Sequence, residues 1–267
     1  MFRILLGKAW VLVPQKKYLD ACKVAHQYLI YYIDLALSNR EGSIKSHSLL
    51  ASLSQQTEDR DFIRNQILQG MMASQETTSA LLGNACFLLA RHPQYWQELR
   101  STSQVSQGEE LTFETLLNIK IIQNILFETL RLYPVFPLLN RAALRDTKLP
   151  VGGGPNQDLP VFVPKGTSVV MSYYSLHRNT SVFGQDVESF RPARWETCHP
   201  TQWEFMGFGG GNRTCLGQQK VLVEAAYVLM RISKQYARIE SRDPRAWEGE
   251  LKLTCRSKNG CKVALYV

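Results

Sequence analysis

The segment Phe208-Gly209-Gly210-Gly211-Asn212-Arg213-Thr214-Cys215-Leu216-Gly217 decides how this chain is read. It places one cysteine between a glycine-rich turn and the start of an apolar pattern at helical spacing, about 215–236. A cysteine there meets unpaired backbone N–H groups and the positive end of a helix dipole, which favour a negatively charged sulfur. Arg213, two residues earlier, adds positive charge. The consecutive glycines 209–211 let the backbone pass close to a large flat ligand. The pattern suits a thiolate that must reach a metal and stay charged. A lone cysteine is most often a small buried hydrophobe, so the weight rests on ten positions in register.

Two segments further out carry chemistry. Glu128-Thr129-Leu130-Arg131 lies late in a helical stretch, about 113–133, that Pro134 and Pro137 close. Glu and Arg three apart share a helix face and can pair. Alone, that spacing describes many surface helices. Here the flanks Ile125, Leu126, Phe127, Leu130 and Leu132 are apolar, which predicts burial. A buried pair persists when it is well partnered, and Phe190-Arg191-Pro192-Ala193-Arg194-Trp195 offers Arg194 as a third member. The second segment, Ala73-Ser74-Gln75-Glu76-Thr77-Thr78, sits in a long helical pattern, about 57–92. It reads as a polar patch on an amphipathic helix. It also sets an acid beside an alcohol, as a proton relay requires.

Phe208, Gly211, Arg213, Cys215, Leu216 and Gly217 fall in place on the haem-binding loop of the cytochrome P-450 family, the haem-thiolate monooxygenases, and the chain resembles that family. The resemblance implies a mainly α fold with a small β portion, the C-terminal haem-binding half of the cytochrome P-450 fold. It implies haem (iron protoporphyrin IX) as cofactor and Cys215 as axial iron ligand, a thiolate that favours O–O cleavage. Phe208, Gly209, Gly211, Leu216 and Gly217 would border the haem, with the Leu216 and Gly217 N–H groups directed at the sulfur. Arg213 and Arg141 would pair with the propionates, since guanidinium suits planar carboxylate contacts. Glu128, Arg131 and Arg194 match the family's structural triad, which ties the Glu-x-x-Arg helix to the meander before the haem loop. Glu76 and Thr77 match the catalytic acid and alcohol that supply protons during oxygen activation. Ser74 departs from the usual glycine, which permits local opening of the helix; a serine can instead bend a helix by bonding back to the i−4 carbonyl. Val135-Phe136-Pro137-Leu138-Leu139 would line part of the substrate pocket. The run Asn140 to Thr147 and the turn Gly152-Gly153-Gly154-Pro155 look like the fungal alkane and fatty-acid hydroxylase branch.

The implied activity inserts one oxygen atom from O2 into an apolar small-molecule substrate of fatty-acid, alkane or secondary-metabolite type. Electrons would come from NADPH through a reductase that meets the basic proximal face. The resemblance runs from about Lys17 onward and covers the C-terminal half of a usual member. The N-terminal β region, the helix that clamps a propionate, the loop over the substrate and the microsomal membrane anchor have no counterpart. Family members mostly sit in the endoplasmic reticulum membrane facing the cytosol. A second hypothesis is a truncated, non-catalytic remnant, because half a domain exposes core surface that favours association. Haem uptake separates the two.

Bulk properties are consistent with this reading. The chain has 267 residues, 45% hydrophobic and 20% charged, and reads as globular, a single partial domain over 1–267. The net charge of +8 and pI of about 9.2 come without a Lys/Arg run or a nucleic-acid-binding module, so no nucleic-acid partner is expected. None of the six cysteines forms a C-x-x-C pair, which argues against structural zinc. Cys255 and Cys261 can face each other across a C-terminal hairpin, with two reduced thiols the safer expectation. The five histidines are scattered, Cys198-His199 lacks a third member, and the glycine runs do not make a dinucleotide-binding turn. The apolar stretch Met1–Val13 is too short to span a bilayer and lacks a signal-peptide pattern, and no transmembrane segment is expected. The expected elements are a helix over 17–38, a loop over 39–54, the long central helix with a restart at Pro93, and a loop over 101–110. After the Glu-x-x-Arg helix come a β region about 140–176 with a strand over 167–176, a meander about 178–207, the haem loop 208–217, a long helix about 215–236, and strands after Glu250.

Overall fold

The structure, a computed structural model, describes residues 15–38, 48–105 and 110–267. The stretch Met1–Val13, most of the 39–54 segment and residues 106–109 of the 101–110 segment lie outside the described residues. The chain divides into two compact units, 1–76 and 77–267, and the boundary falls within one long helix.

The first unit contains α1 (Lys16–Ser38), α2 (Leu49–Gln56) and the opening turns of α3 (Arg60–Leu89). Leu29, Ile33 and Ala36, spaced four and three apart, give α1 one buried stripe, and α1 packs on α2. The expected loop over 39–54 is helical from Leu49. Ser48 Oγ accepts the Ala51 N–H at 3.1 Å, and this cap together with Leu50 and Leu53 outweighs the serine-rich composition. Asp34 and Arg60 form an ion pair within the unit.

The second unit is built on a helical core. The later turns of α3, with α4 (Pro93–Val105), α5 (Phe113–Asn118), α6 (Lys120–Leu132) and α9 (Gln218–Gln235), enclose Leu81, Leu89, Trp96, Leu99, Ile125 and Leu229. Each such side chain contributes about 1.5–3 kcal/mol by leaving water. α9 packs against α4, α5 and α6, which puts its N-terminal end, and the loop before it, on the helical scaffold. α4 starts at Pro93, whose fixed φ and missing N–H suit the first helical position; it runs to Val105, into the segment expected as loop. The single helix expected over 113–133 is two helices. The chain turns at Ile119, with φ −76° and ψ 95°, and no proline or glycine announces it. The Gln123 side chain donates to the Leu116 carbonyl at 3.0 Å and satisfies one end of the break.

The β portion consists of two-stranded antiparallel pairs. β1 (Leu138–Ala142) pairs with β4 (Ser168–Ser172), with Leu138 opposite Ser172 and Asn140 opposite Val170. β2 (Thr147–Gly153) and β3 (Leu159–Val163) form a hairpin. The strand expected over 167–176 stops at Ser172, because Ser172 Oγ accepts the Ser175 N–H at 3.2 Å and caps α7 (Tyr173–Leu176). α8 (Thr180–Phe183) and a 3-10 turn over Pro192–Glu196 follow. The C-terminal strands begin earlier than expected: β5 (Arg238–Ser241) pairs with β8 (Val263–Tyr266), and β6 (Gly249–Leu251) with β7 (Cys255–Ser257). Cys255 and Cys261 are free thiols. Among the described residues, no helix is long and apolar enough to cross a membrane.

Candidate functional site

The loop 208–217 is shaped by its own backbone. Gly209 and Gly211 have φ of 77° and 65°, a left-handed conformation that costs a side-chain-bearing residue energy. A Cβ on Gly210 would come within 2.9 Å of the Trp203 ring. The Cys215 N–H donates to the Phe208 carbonyl at 3.0 Å, closing the loop, and Thr214 N–H and Oγ1 both bond the Gly211 carbonyl, at 3.1 and 2.8 Å. A 3-10 turn over Gly211–Arg213 leads to Cys215, and Gly217 caps α9. Cys215 therefore sits two residues ahead of the helix cap. Its side chain is exposed, as are Arg213 and Leu216, while Phe208 and Gly217 are half-buried.

The loop is anchored to α6 through the meander. Glu128, Arg131 and Arg194 are all fully buried, with side chains at most 1% exposed. Glu128 accepts Arg131 Nε at 2.8 Å and Nη2 at 2.9 Å, a forked pairing, and Arg194 Nε at 3.3 Å. It also accepts the Arg191 backbone N–H at 3.0 Å and the Trp195 indole N–H at 3.1 Å. Arg131 Nη1 donates to the carbonyls of His177 and Val187 at 3.1 and 2.6 Å. Arg194 Nη1 donates to Asp186 Oδ1 at 2.7 Å and to the Phe183 carbonyl. Arg191 Nε also pairs with Asp186 Oδ2 at 2.8 Å, so two carboxylates face three guanidiniums, and the hydrogen bonds to surrounding carbonyls complete the shell that a buried charge requires. The Asp186 carboxyl is held down at about 2, chiefly by its hydrogen bond from Arg194. The Trp195 ring packs on Phe205 with centroids 4.7 Å apart, two residues before the loop's approach at Gly207.

Sequence reading missed His177, Asp186 and the Trp195 indole. His177 is fully buried, and its Nε2 accepts the Met206 N–H at 3.0 Å, pinning the chain just before Phe208. Burial lowers its pKa from 6.5 to about 4, with the nearby backbone carbonyls of Leu130 and Arg131 opposing. The unfolded chain therefore takes up a proton below pH 6.5 that the folded chain refuses until about pH 4. Stability is full above pH 6.5 and falls by roughly 3 kcal/mol across that window. In urea titrations at pH 7, 6, 5 and 4, His177→Gln is expected to remove this part of the acid slope, about 1.4 kcal/mol per pH unit. An unchanged slope would contradict a buried neutral imidazole.

The remaining candidates lie on other elements. Arg141 is on β1, exposed, with Nη1 donating to the Asn140 carbonyl at 2.9 Å. Glu76 and Thr77 are consecutive in α3 and both half-buried; Glu76 is the last residue of the first unit and Thr77 the first of the second. Ser74 Oγ donates to the Met71 carbonyl at 3.2 Å, an i−3 back-bond. An apolar hollow of about 510 Å³ in the second unit, lined by Leu82, Phe113, Val223 and Tyr227 among others, involves no residue of 208–217.

These residues fit a haem. Cys215 is exposed at the end of a loop that opens with three glycines, and cationic Arg213 and Arg141 are exposed as well. Beside Gly209 lies the Tyr173 hydroxyl, buried and without a hydrogen-bond partner, 3.9 Å from where a Cβ on that glycine would stand. An apolar, glycine-lined loop with a soft sulfur donor and peripheral cations matches a flat iron porphyrin bearing carboxylates.

Comparison with known proteins shows the family. The family model "Cytochrome P450" matches residues 3–247. The chain is 43% identical to cytochrome P450 monooxygenase himC of Aspergillus japonicus over 262 residues, 94% of this chain and 47% of that protein. It is 39% identical to cytochrome P450 52E1 of Candida apicola over 252 residues, 91% of this chain and 49% of that protein. To cytochrome P450 52A12 of Debaryomyces hansenii it is 38% identical over 256 residues, 90% of this chain and 49% of that protein. The chain thus spans about half the length of the curated relatives it matches. With the family model covering most of the sequence and a closed glycine loop presenting Cys215, this chain belongs to the cytochrome P450 family.

Proposed function

We propose that this chain is the haem-binding half of a haem-thiolate monooxygenase. The observation that carries the reading is the exposed Cys215 sulfur at the mouth of the closed glycine loop. Cys215 would bind the iron, and Arg213 and Arg141 would hold the propionates. Phe208, Gly209, Gly211, Leu216 and Gly217 would border the macrocycle. Haem, when bound, supplies the activation of dioxygen, assisted by the electron density of the thiolate. The chain's own residues do the rest. The triad Glu128, Arg131 and Arg194 holds the meander, and through Trp195, Phe205 and the His177–Met206 bond it holds the loop that carries the sulfur. Glu76 and Thr77 are assigned the proton supply, as acid and alcohol neighbours in α3. The balance is one oxygen atom inserted into a C–H bond and the other leaving as water, with two electrons and two protons consumed.

The substrate class we assign is apolar, of fatty-acid or alkane type. Support comes from the likeness to cytochrome P450 52 proteins and from the Asn140–Thr147 run. Electrons come from NADPH through a reductase. We read residues 1–267 as one partial domain of this family, about half the length of the curated relatives it matches.

The test is reconstitution. The purified chain is loaded with haem, reduced and exposed to carbon monoxide, and a strongly red-shifted Soret band is the expected result. No haem uptake would favour the non-catalytic remnant. Thr77→Ala is expected to leave haem bound while reducing equivalents go to peroxide, with coupling to product falling about 10- to 100-fold. Unchanged coupling would remove Thr77 from the relay.

A further inference from the structure

His177 follows α7, and Phe205 and Tyr173 pack on its ring with centroids 4.8 and 6.2 Å away. Its Nε2 meets the Met206 N–H at 3.0 Å. A backbone amide can only donate, so Nε2 is bare and Nδ1 carries the single hydrogen of a neutral imidazole. The partner thus fixes the state of the ring.

That bond has a particular place in the loop. The Gly209 N–H donates to the Met206 carbonyl and the Cys215 N–H to the Phe208 carbonyl, both at 3.0 Å. Thr214 bonds Gly211. All of these stay inside the loop. Among the described residues, the His177–Met206 bond is the one hydrogen bond that joins residues 206–216 to the rest of the chain.

A second proton can enter the ring only at Nε2. There it points at the Met206 N–H, donor against donor, and the bond is lost. The charged groups that face the ring also resist a new cation. They are Arg131 of α6, paired with Glu128, and Arg178, paired with Glu188. Burial is the larger obstacle, and it lowers the pKa to about 4. Opening the loop lets water reach the ring, so a proton from solvent can stay on it. A local opening of this kind costs less than global unfolding. The Glu128, Arg131 and Arg194 group uses only the His177 carbonyl, so it still stands when the imidazole lets go.

We propose that His177 is a proton-operated latch on the loop that carries Cys215: the neutral ring holds the loop through Met206, and uptake of one proton releases the loop and its sulfur. The effect on iron rests on the haem-thiolate reading; the latch itself concerns the chain alone.

Two measurements between pH 7 and pH 4 test it. The first is hydrogen exchange of the haem-free full chain, with protection corrected for the pH dependence of the intrinsic rate. Residues 206–216 are expected to lose protection about tenfold or more toward pH 4 while α6 keeps its own. The second is the red-shifted Soret band of the reduced carbon monoxide complex, which is expected to fade over the same range and return at pH 7. His177→Gln keeps an acceptor where Nε2 stands and cannot titrate, so loop protection and band should persist to a pH about one unit lower or beyond. Unchanged loop protection in the wild type would overturn the proposal. So would joint loss of loop and α6 protection, which signals global unfolding. Equal band midpoints in the wild type and a folded His177→Gln chain would overturn it as well, since protonation of the sulfur itself would then explain the change. If His177→Gln does not fold, the wild-type exchange decides alone. A chain that takes up no haem would overturn the haem reading, with the latch still judged by exchange.

Discussion

Cys215→Ser is expected to abolish the red-shifted Soret band of the reduced carbon monoxide complex while leaving the fold intact. Serine is nearly isosteric but offers a hard, un-ionised oxygen in place of a soft thiolate. The Cys215 side chain is exposed, and the loop is closed by its backbone, through the N–H bond to Phe208. An exposed substitution of this kind changes stability by about 0.5 kcal/mol or less. Loss of the band with an unchanged urea midpoint therefore reports the ligand alone. Other cysteines are poor substitutes. Burial pushes the Cys86 thiol up to about 12 and raises those of Cys198, Cys255 and Cys261, which disfavours the thiolate that iron requires. A persistent red-shifted band in Cys215→Ser would place the ligand elsewhere and end the present assignment.

Arg194→Ala is expected to cost the fold and the haem together. The substitution removes one guanidinium from a fully buried group and leaves Glu128, itself 0% exposed, with one cation instead of two. It also strips donors from Asp186 and from the Phe183 carbonyl. Breaking a buried ion pair by deleting one partner destabilises by about 3–5 kcal/mol. Typical domains hold only about 5–15 kcal/mol in total. The variant should show a large drop in urea midpoint, aggregation or both, and weak haem retention. Arg194→Lys keeps the charge but not the fork, and should fall between variant and wild type. A well-folded, haem-loaded Arg194→Ala chain would contradict the structural role of the triad.

The local parts of this site were legible before any coordinates. Glu128 and Arg131 stand three apart with apolar flanks, so burial and pairing followed from one helix turn. The glycine run, Arg213 and Cys215 are contiguous, and the resemblance they carry also supplied Arg194. Other parts were not legible. No proline or glycine marks the turn at Ile119, which hinges on the Gln123 side chain reaching Leu116. The helix at Leu49 was hidden by serines, one of which turned out to be its cap. The end of β4 at Ser172 depends on the same kind of local cap, and the strand-like residues Tyr173 and Tyr174 masked it.

By itself the amino-acid sequence determined the helical scaffold, the thiol's position ahead of a long helix and the membership that those motifs announce. These depend on spacing within a few residues, where periodicity, caps and glycines act. Only the tertiary structure decided that His177 grips Met206, that Glu128 reaches the Arg191 amide and the Trp195 indole, and that the Tyr173 hydroxyl is stranded beside Gly209. A hydrogen bond needs its partners about 3 Å apart, and for residues tens of positions distant that approach is set by how the helices and the meander pack.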